Sequence, residues 1–215
     1  MTARALTAEA LGTALLVTAV VGSGIMAQSL TTDTALALLA NTIATGAALF
    51  MLITTFGAVS GAQFNPAVTL VFALRGEIAL SLALAYVAAQ ALGGVIGTLA
   101  AHAMFDLALL QTSTHIRTGA PQYLAEIIAT FGLILAILGA INAKANVATT
   151  VACYITAAYW FTASTSFANP AVALARAFTD TFAGIRPADL GGFWAAEVVG
   201  AVLAAALGGW LFKKA

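Results

Sequence analysis

Two stretches of this sequence pair residue types that could do chemistry, Asn65-Pro66-Ala67-Val68 and Asn169-Pro170-Ala171-Val172. Each sets an amide side chain before a proline inside an apolar run. The amide oxygen can cap a helix by accepting first-turn N–H groups. Proline suits that first turn, where its missing N–H costs nothing. Each tripeptide therefore predicts a helix start whose amide N–H groups remain free to meet something else. In a soluble chain the same dipeptide is ordinarily a turn, so its surroundings decide. They are alike: Gln63-Phe64 precedes the first box and Ser166-Phe167-Ala168 the second.

Little else in the sequence points to chemistry. His102 and His115 have no Cys or acid at ligand spacing, so no zinc, haem or iron–sulfur site is expected and no cofactor is implied. No nucleophile, base and orienting group can be assembled, which disfavours an enzyme. Cys153 stands alone in an apolar run, excludes an intrachain disulfide and reads as packing. A formal net charge of +0 gives no case for a nucleic-acid partner.

The elements that must hold the two boxes follow from composition. The chain has 215 residues, 62% hydrophobic and 7% charged, with mean hydropathy +1.02. Soluble domains carry about 25% charged residues, so the solvent here is a lipid bilayer. Charge-free windows run over 10–32, 34–74, 78–105, 127–143, 145–175 and 198–212. They predict six spans, at about 8–28, 35–57, 79–104, 122–142, 146–165 and 190–212, in an all-α membrane protein. The first reads as a span rather than a signal peptide, because no clear cleavage site follows before Asp33. Unbroken apolar runs rich in Ala, Leu and Gly argue against a barrel of alternating strands.

Residues 58–78 and 166–189 are too apolar for water loops and too short to span. Irregular backbone at membrane depth is tolerated inside protein or beside a water-filled cavity, so each box predicts a re-entrant half-helix. The halves also echo one another. Glu9-x-x-x-Thr13 matches Glu126-x-x-x-Thr130, and Gln90-x-x-Gly93 matches Glu197-x-x-Gly200. Three spans per half is odd, so repeats over about 1–105 and 120–215, within one channel domain 1–215, must be inverted. The half-helices then enter from opposite faces and their N-termini meet near the midplane. Each brings partial positive charge of about half a unit. Such a point repels cations and offers Asn65 and Asn169 donors to a neutral hydroxylic molecule. Placing both termini in the cytoplasm puts Arg4, Arg75, Lys144, Lys213 and Lys214 inside and Arg117, Arg176 and Arg186 outside, a modest positive-inside bias.

With these features the chain resembles the aquaporin family, the major intrinsic proteins. The resemblance covers the six spans, both Asn-Pro-Ala boxes, Ser60-Gly61-Ala62-Gln63-Phe64-Asn65-Pro66-Ala67-Val68-Thr69, and the acids Glu9 and Glu126. It implies a passive channel with one pore per subunit, assembled as a homotetramer in the bilayer. It also implies that Glu9 and Glu126 support the re-entrant loops by accepting backbone N–H groups, a role that Gln90 and Glu197 share. The acids by themselves leave a second reading open, coupling-ion ligands of a transporter. Gly12, Gly46, Gly93, Gly94, Gly97, Gly200 and Gly208 read as close helix approaches.

The family's outer filter falls by spacing on Thr45, Ala157, Ser166 and Val172. The family usually has Arg at the last of these positions and often an aromatic at the first; this chain has Val and Thr. A ring of small residues implies passage of solutes wider than water. A shift of two residues in the fifth span would return an aromatic from Tyr159-Trp160-Phe161 to the pore. Arg176 lies four residues beyond Val172, about 40° round the helix and roughly 6 Å further along. Either it is the pore cation moved to the outer vestibule, or it pairs with Asp180 or caps its helix.

Within the family, the closest pattern is that of short bacterial chains with Val after the second box, which are associated with arsenic resistance. The leading expectation is a passive channel of a bacterial inner membrane for glycerol, urea, arsenite or related metalloid acids, with water. A water-selective aquaporin is the alternative, an ion-coupled secondary transporter comes next, and a non-conducting junction protein is disfavoured.

Overall fold

The computed structural model describes residues 2–212. Lys213 and Lys214, which weigh in the orientation count, lie outside the described residues. The described residues form helices and connecting loops: α1 Thr2–Leu30, α2 Thr34–Ser60, α3 Pro66–Leu74, α4 Leu80–Met104, α5 Ala120–Asn142, α6 Val147–Phe161, α7 Pro170–Arg176 and α8 Leu190–Leu211. A 3-10 turn at Pro187–Asp189 leads into α8.

Local chemistry sets the ends. Asp33 starts α2, its Oδ1 accepting Ala35 N at 2.8 Å and Leu36 N at 3.1 Å. Gly61 stops it with φ 88°, a left-handed cap that glycine adopts without a Cβ clash. Asn146 starts α6 by accepting Thr149 N at 2.9 Å. The two proline boxes start α3 and α7 as the sequence predicts.

Among the described residues, five helices are long and apolar enough to cross a membrane. The fifth expected span, 146–165, differs. Its helix α6 has 15 residues, a rise of about 22 Å against a hydrocarbon core of about 30 Å. Thr162 turns extended, and Thr165 and Ser166 take positive φ of 62° and 52°, so the chain leaves the helix early and enters the second re-entrant loop.

The contacts between helices mirror one another. Exchange α1 with α5, α2 with α6, α3 with α7 and α4 with α8. The contact α1·α4 then becomes α5·α8, α1·α2 becomes α5·α6, α4·α7 becomes α8·α3, and α2·α6 and α3·α7 map onto themselves. Small residues allow the tightest crossings. A Cβ at Gly93 or Gly97 of α4 would run into the backbone carbonyls of Ala10 and Ala14 of α1, and one at Gly200 of α8 into that of Ile127 of α5. Apolar side chains fill the interior, with Val17, Val21, Leu52, Phe64, Ile134 and Phe193 fully buried. The opposite faces carry exposed Leu, Ile, Val and Phe, as a lipid-facing surface requires.

Candidate functional site

The re-entrant loops do not hold their shape by backbone preference. Ala62 and Phe64 in the first, and Thr165, Ser166 and Ala168 in the second, have φ between 47° and 62°. That region costs an L-residue roughly 1–2 kcal/mol. The turns gather successive backbone N–H groups onto buried acids. Glu9 of α1 accepts Gln63 N at 3.0 Å and Phe64 N at 2.7 Å, with Ser60 Oγ at 2.6 Å and Gln90 Nε2 at 2.8 Å. Glu126 of α5 accepts Phe167 N at 2.9 Å and Ala168 N at 2.7 Å, and Glu197 of α8 accepts Asn169 N at 2.9 Å. All three acids are fully buried. Glu9 and Glu126 thus spend their oxygens on the loops, which leaves little for a coupling ion.

Each loop also fastens the other. Asn65 Nδ2 donates to Ala168 O at 2.7 Å, and Asn169 Nδ2 donates to Phe64 O at 2.8 Å. The amide oxygens serve as helix caps, Asn65 Oδ1 for Ala67 N and Asn169 Oδ1 for Ala171 N and Val172 N. One N–H of each amide stays uncommitted. This places the N-termini of α3 and α7 tip to tip, with a donor from each beside the same space.

That space is a cavity of ≈ 550 Å³. Leu16, Val20, Leu49, Leu133, Ile137 and Ile155 give it an apolar wall, and Asn65, Asn169 and the loop residues Gln63, Phe64, Phe167 and Ala168 give it a polar line. One end reaches Thr54, Gly57 and Asn146. The other reaches Thr45, Tyr159, Ser166, Val172 and Arg176. A passage with one apolar side and a short row of polar groups suits small solutes that carry both characters.

The positions expected to form the outer filter do not all meet there. Thr45, Ser166 and Val172 line the cavity, and Ala157 does not: it is exposed on the far side of α6. The phase of that helix is set by Val151, Ile155 and Tyr159, which recur every four residues and face inward. Ala157, two residues from both Ile155 and Tyr159, sits about 200° away. Tyr159 therefore takes the place expected of Ala157 and donates its hydroxyl to Thr45 Oγ1 at 3.1 Å. The connection from α6 to the second box is two residues shorter than the expected spacing assumed. Val151, Ile155 and Tyr159 are spaced for one face, but the outward Cys153, Ala157, Trp160 and Phe161 are apolar too, so only packing shows which face turns inward. Cys153, expected in packing, is likewise exposed on the outer face of α6.

Arg176 sits in the last turn of α7, 3% exposed, and lines the outer end of the cavity. It does not pair with Asp180, which instead accepts Thr114 N at 2.8 Å and Thr114 Oγ1 at 2.9 Å. Its guanidinium lies over the Phe167 ring, 3.4 Å from the centroid, and its Nε donates to Ala183 O. Arg117, not singled out in the sequence, reaches the same ring at 5.0 Å and braces the second loop through Ser164 O and Gly184 O. Burial holds the Arg117 guanidinium below its ordinary range, and Glu126 and Tyr159 oppose that shift. His102 also ties outer loops together, through Leu109 O at 2.9 Å and Thr179 Oγ1 at 2.8 Å.

Comparison with known proteins bears on this arrangement. The model of the family described as Major intrinsic protein matches residues 1–161. The chain belongs to the major intrinsic protein family. As a major intrinsic protein it is an integral membrane protein. It is 61% identical over 209 residues to aquaglyceroporin AqpS of Rhizobium meliloti (strain 1021), covering 97% of this chain and 90% of that one. It is 32% identical over 219 residues to aquaporin A of Dictyostelium discoideum, covering 92% and 74%. Among solved structures, the aquaglyceroporin from Plasmodium falciparum superposes with a TM-score of 0.74 at 26% identity, covering 96% of this chain and 95% of that one.

Proposed function

We propose that this major intrinsic protein is a passive channel for small neutral solutes wider than water, with glycerol and urea first and arsenite or related metalloid acids next. The carrying observation is the cavity itself, with an apolar wall on one side and the Asn65 and Asn169 donors on the other. A polyol can rest its carbons on Leu16, Leu49 and Ile137 while its hydroxyls accept from the two amides. A cation meets two helix N-termini and no carboxylate in the lining. Likeness to a protein named aquaglyceroporin supports the same reading. We further place the chain in a bacterial inner membrane as a homotetramer with both termini in the cytoplasm.

Tyr159 favours a second reading, a water-selective channel. It brings an aromatic ring to the outer end of the cavity, where sequence spacing had put an alanine. Val172 weighs against it, because an apolar side chain at that point adds neither charge nor bulk to match an arginine.

The discriminating experiment is proteoliposome swelling with water, glycerol, urea and arsenite, in wild type and Val172→Arg. On the wide-channel reading the wild type passes glycerol and urea, and the variant loses those solutes while keeping part of its water flow. Identical solute profiles in the two proteins would remove Val172 from the filter, and a wild type that passes water alone would establish the second reading.

A further inference from the structure

Arg176 is held by its back and one edge. Phe167 supports one face of the guanidinium at 3.4 Å from the ring centroid, and Ala183 O takes the Nε proton. The terminal nitrogens Nη1 and Nη2 have no hydrogen-bond partner among the described residues, and no carboxylate comes within 4 Å of Arg176. The acids that attract this buried cation, Glu126 and Glu197, lie beyond ion-pair distance, so its terminal nitrogens still need something to solvate them. The cavity is what remains, since Arg176 is among its lining residues. Its free edge is therefore open to whatever enters that end of the channel.

A second group stands open in the same place. Ser166 belongs to the cavity lining, and its Oγ is buried behind that lining with no partner among the described residues. Tyr159, by contrast, already donates its hydroxyl in a hydrogen bond to Thr45 Oγ1. Val172, one turn nearer the two boxes, adds an apolar wall. A guanidinium edge with two parallel N–H groups fits a planar oxyanion in bidentate fashion, which an ammonium cannot reproduce. A hydroxyl beside it adds one more donor.

We propose that Arg176 and Ser166 form a binding station for small planar monovalent oxyanions, carboxylates and nitrate, at the α7 end of the cavity. The inference rests on the channel reading, and it adds a charged ligand class to the neutral solutes. An oxyanion seated at the station stands in the path of neutral solute and competes with it.

Nitrate is the probe, because it stays ionised and does not cross lipid as a free acid. Purified full-length protein is compared in nitrate and in chloride at equal ionic strength, first by thermal unfolding and then by glycerol flux in proteoliposomes. Each protein serves as its own reference, through the ratio of flux with nitrate to flux without. Wild type should unfold at a higher temperature in nitrate, and its glycerol flux should fall roughly twofold near 100 mM, as for a site half occupied there, with Kd of about 100 mM. Arg176→Gln should lose both effects. Arg176→Lys, which keeps the charge and loses the fork, should retain a weakened effect. Ser166→Ala should weaken the effect without abolishing it and provides a milder variant if Arg176→Gln does not fold. Equal nitrate ratios in wild type and Arg176→Gln, or no nitrate effect on wild-type unfolding, would overturn the station. Absence of glycerol flux in wild type would count against the neutral-solute channel instead, and the unfolding shift would still decide the station.

Discussion

The two re-entrant loops are related by a pseudo-two-fold rotation in geometry and unlike in charge. In the first, one carboxylate, Glu9, works with neutral partners, Ser60 and Gln90. In the second, Glu126 and Glu197 divide the same task, and Glu197 Oε2 has no partner among the described residues. Two arginines, Arg117 and Arg176, then gather on the Phe167 ring of that loop, whereas the corresponding Phe64 packs edge-on against Phe56 at 6.1 Å. The inverted repeat preserves backbone shape, because both halves need the same half-helix start. It leaves charge free to differ, because each face of the membrane offers a different neighbourhood. Ionic chemistry has collected in the half that holds Val172 and Arg176.

The comparison is broken hardest at the acids. Glu9→Ala should destabilise by on the order of 2–6 kcal/mol, since two buried backbone N–H groups lose their acceptor at about 1–3 kcal/mol each. Glu126→Ala should cost a similar amount for Phe167 and Ala168 N–H unless Glu197 turns its free oxygen toward them. Thermal unfolding of the two variants in one detergent compares the halves directly. A much smaller loss for Glu126→Ala would show that the second carboxylate is a substitute; equal losses would show that it is not.

The crossings come next. Gly93→Val and Gly200→Val each force a side chain against a backbone carbonyl of the facing helix. Overpacking of this kind costs roughly 1–3 kcal/mol, and the symmetry of the contacts predicts nearly equal losses. Unfolding midpoints that differ widely between the two variants would show that one crossing tolerates separation and the other does not.

The smallest effect concerns the outer loops. Hydrogen bonds from Thr114 N and Oγ1 hold the Asp180 carboxyl below its usual range. A group depressed in the folded state stabilises above its unfolded value, near 3.9, and loses that contribution as pH falls through the folded value. Amide exchange at Thr114, corrected for intrinsic rate, should stay slow from pH 8 to 5 and rise below about pH 4. Asp180→Asn should flatten that dependence; an unchanged profile would mean that the loop is held without Asp180.

Much of this was legible in the sequence because its physical basis is local. Proline after a capping amide starts a helix where an apolar run follows it, so α3 and α7 begin at Pro66 and Pro170 as read. Charge-free length reports a membrane solvent whatever the packing. Pairing Glu9 with Glu126 and Gln90 with Glu197 needed nothing beyond repeated order. The filter was less legible. Counting back from Asn169 assumes a fixed connection, and the early exit from α6 at Thr162 moved the inward position from Ala157 to Tyr159. A shift of two residues reverses the face of a helix, so an error that small exchanges lipid for channel.

By itself, the sequence determined the solvent, the helices, the two half-helix starts and the inverted order, because each depends on hydropathy, backbone stereochemistry or repetition along the chain. Tertiary structure alone decided which side chain of α6 faces the cavity, that Asp180 serves Thr114 rather than Arg176, and that Arg176 lies buried on Phe167 with its outer edge free. Those outcomes depend on the phase of one helix against another and on loop residues 66 apart, Thr114 and Asp180, meeting at one point. Spacing along a single chain does not carry that information, because rotation about a helix axis and the path of a loop are set by what packs against them.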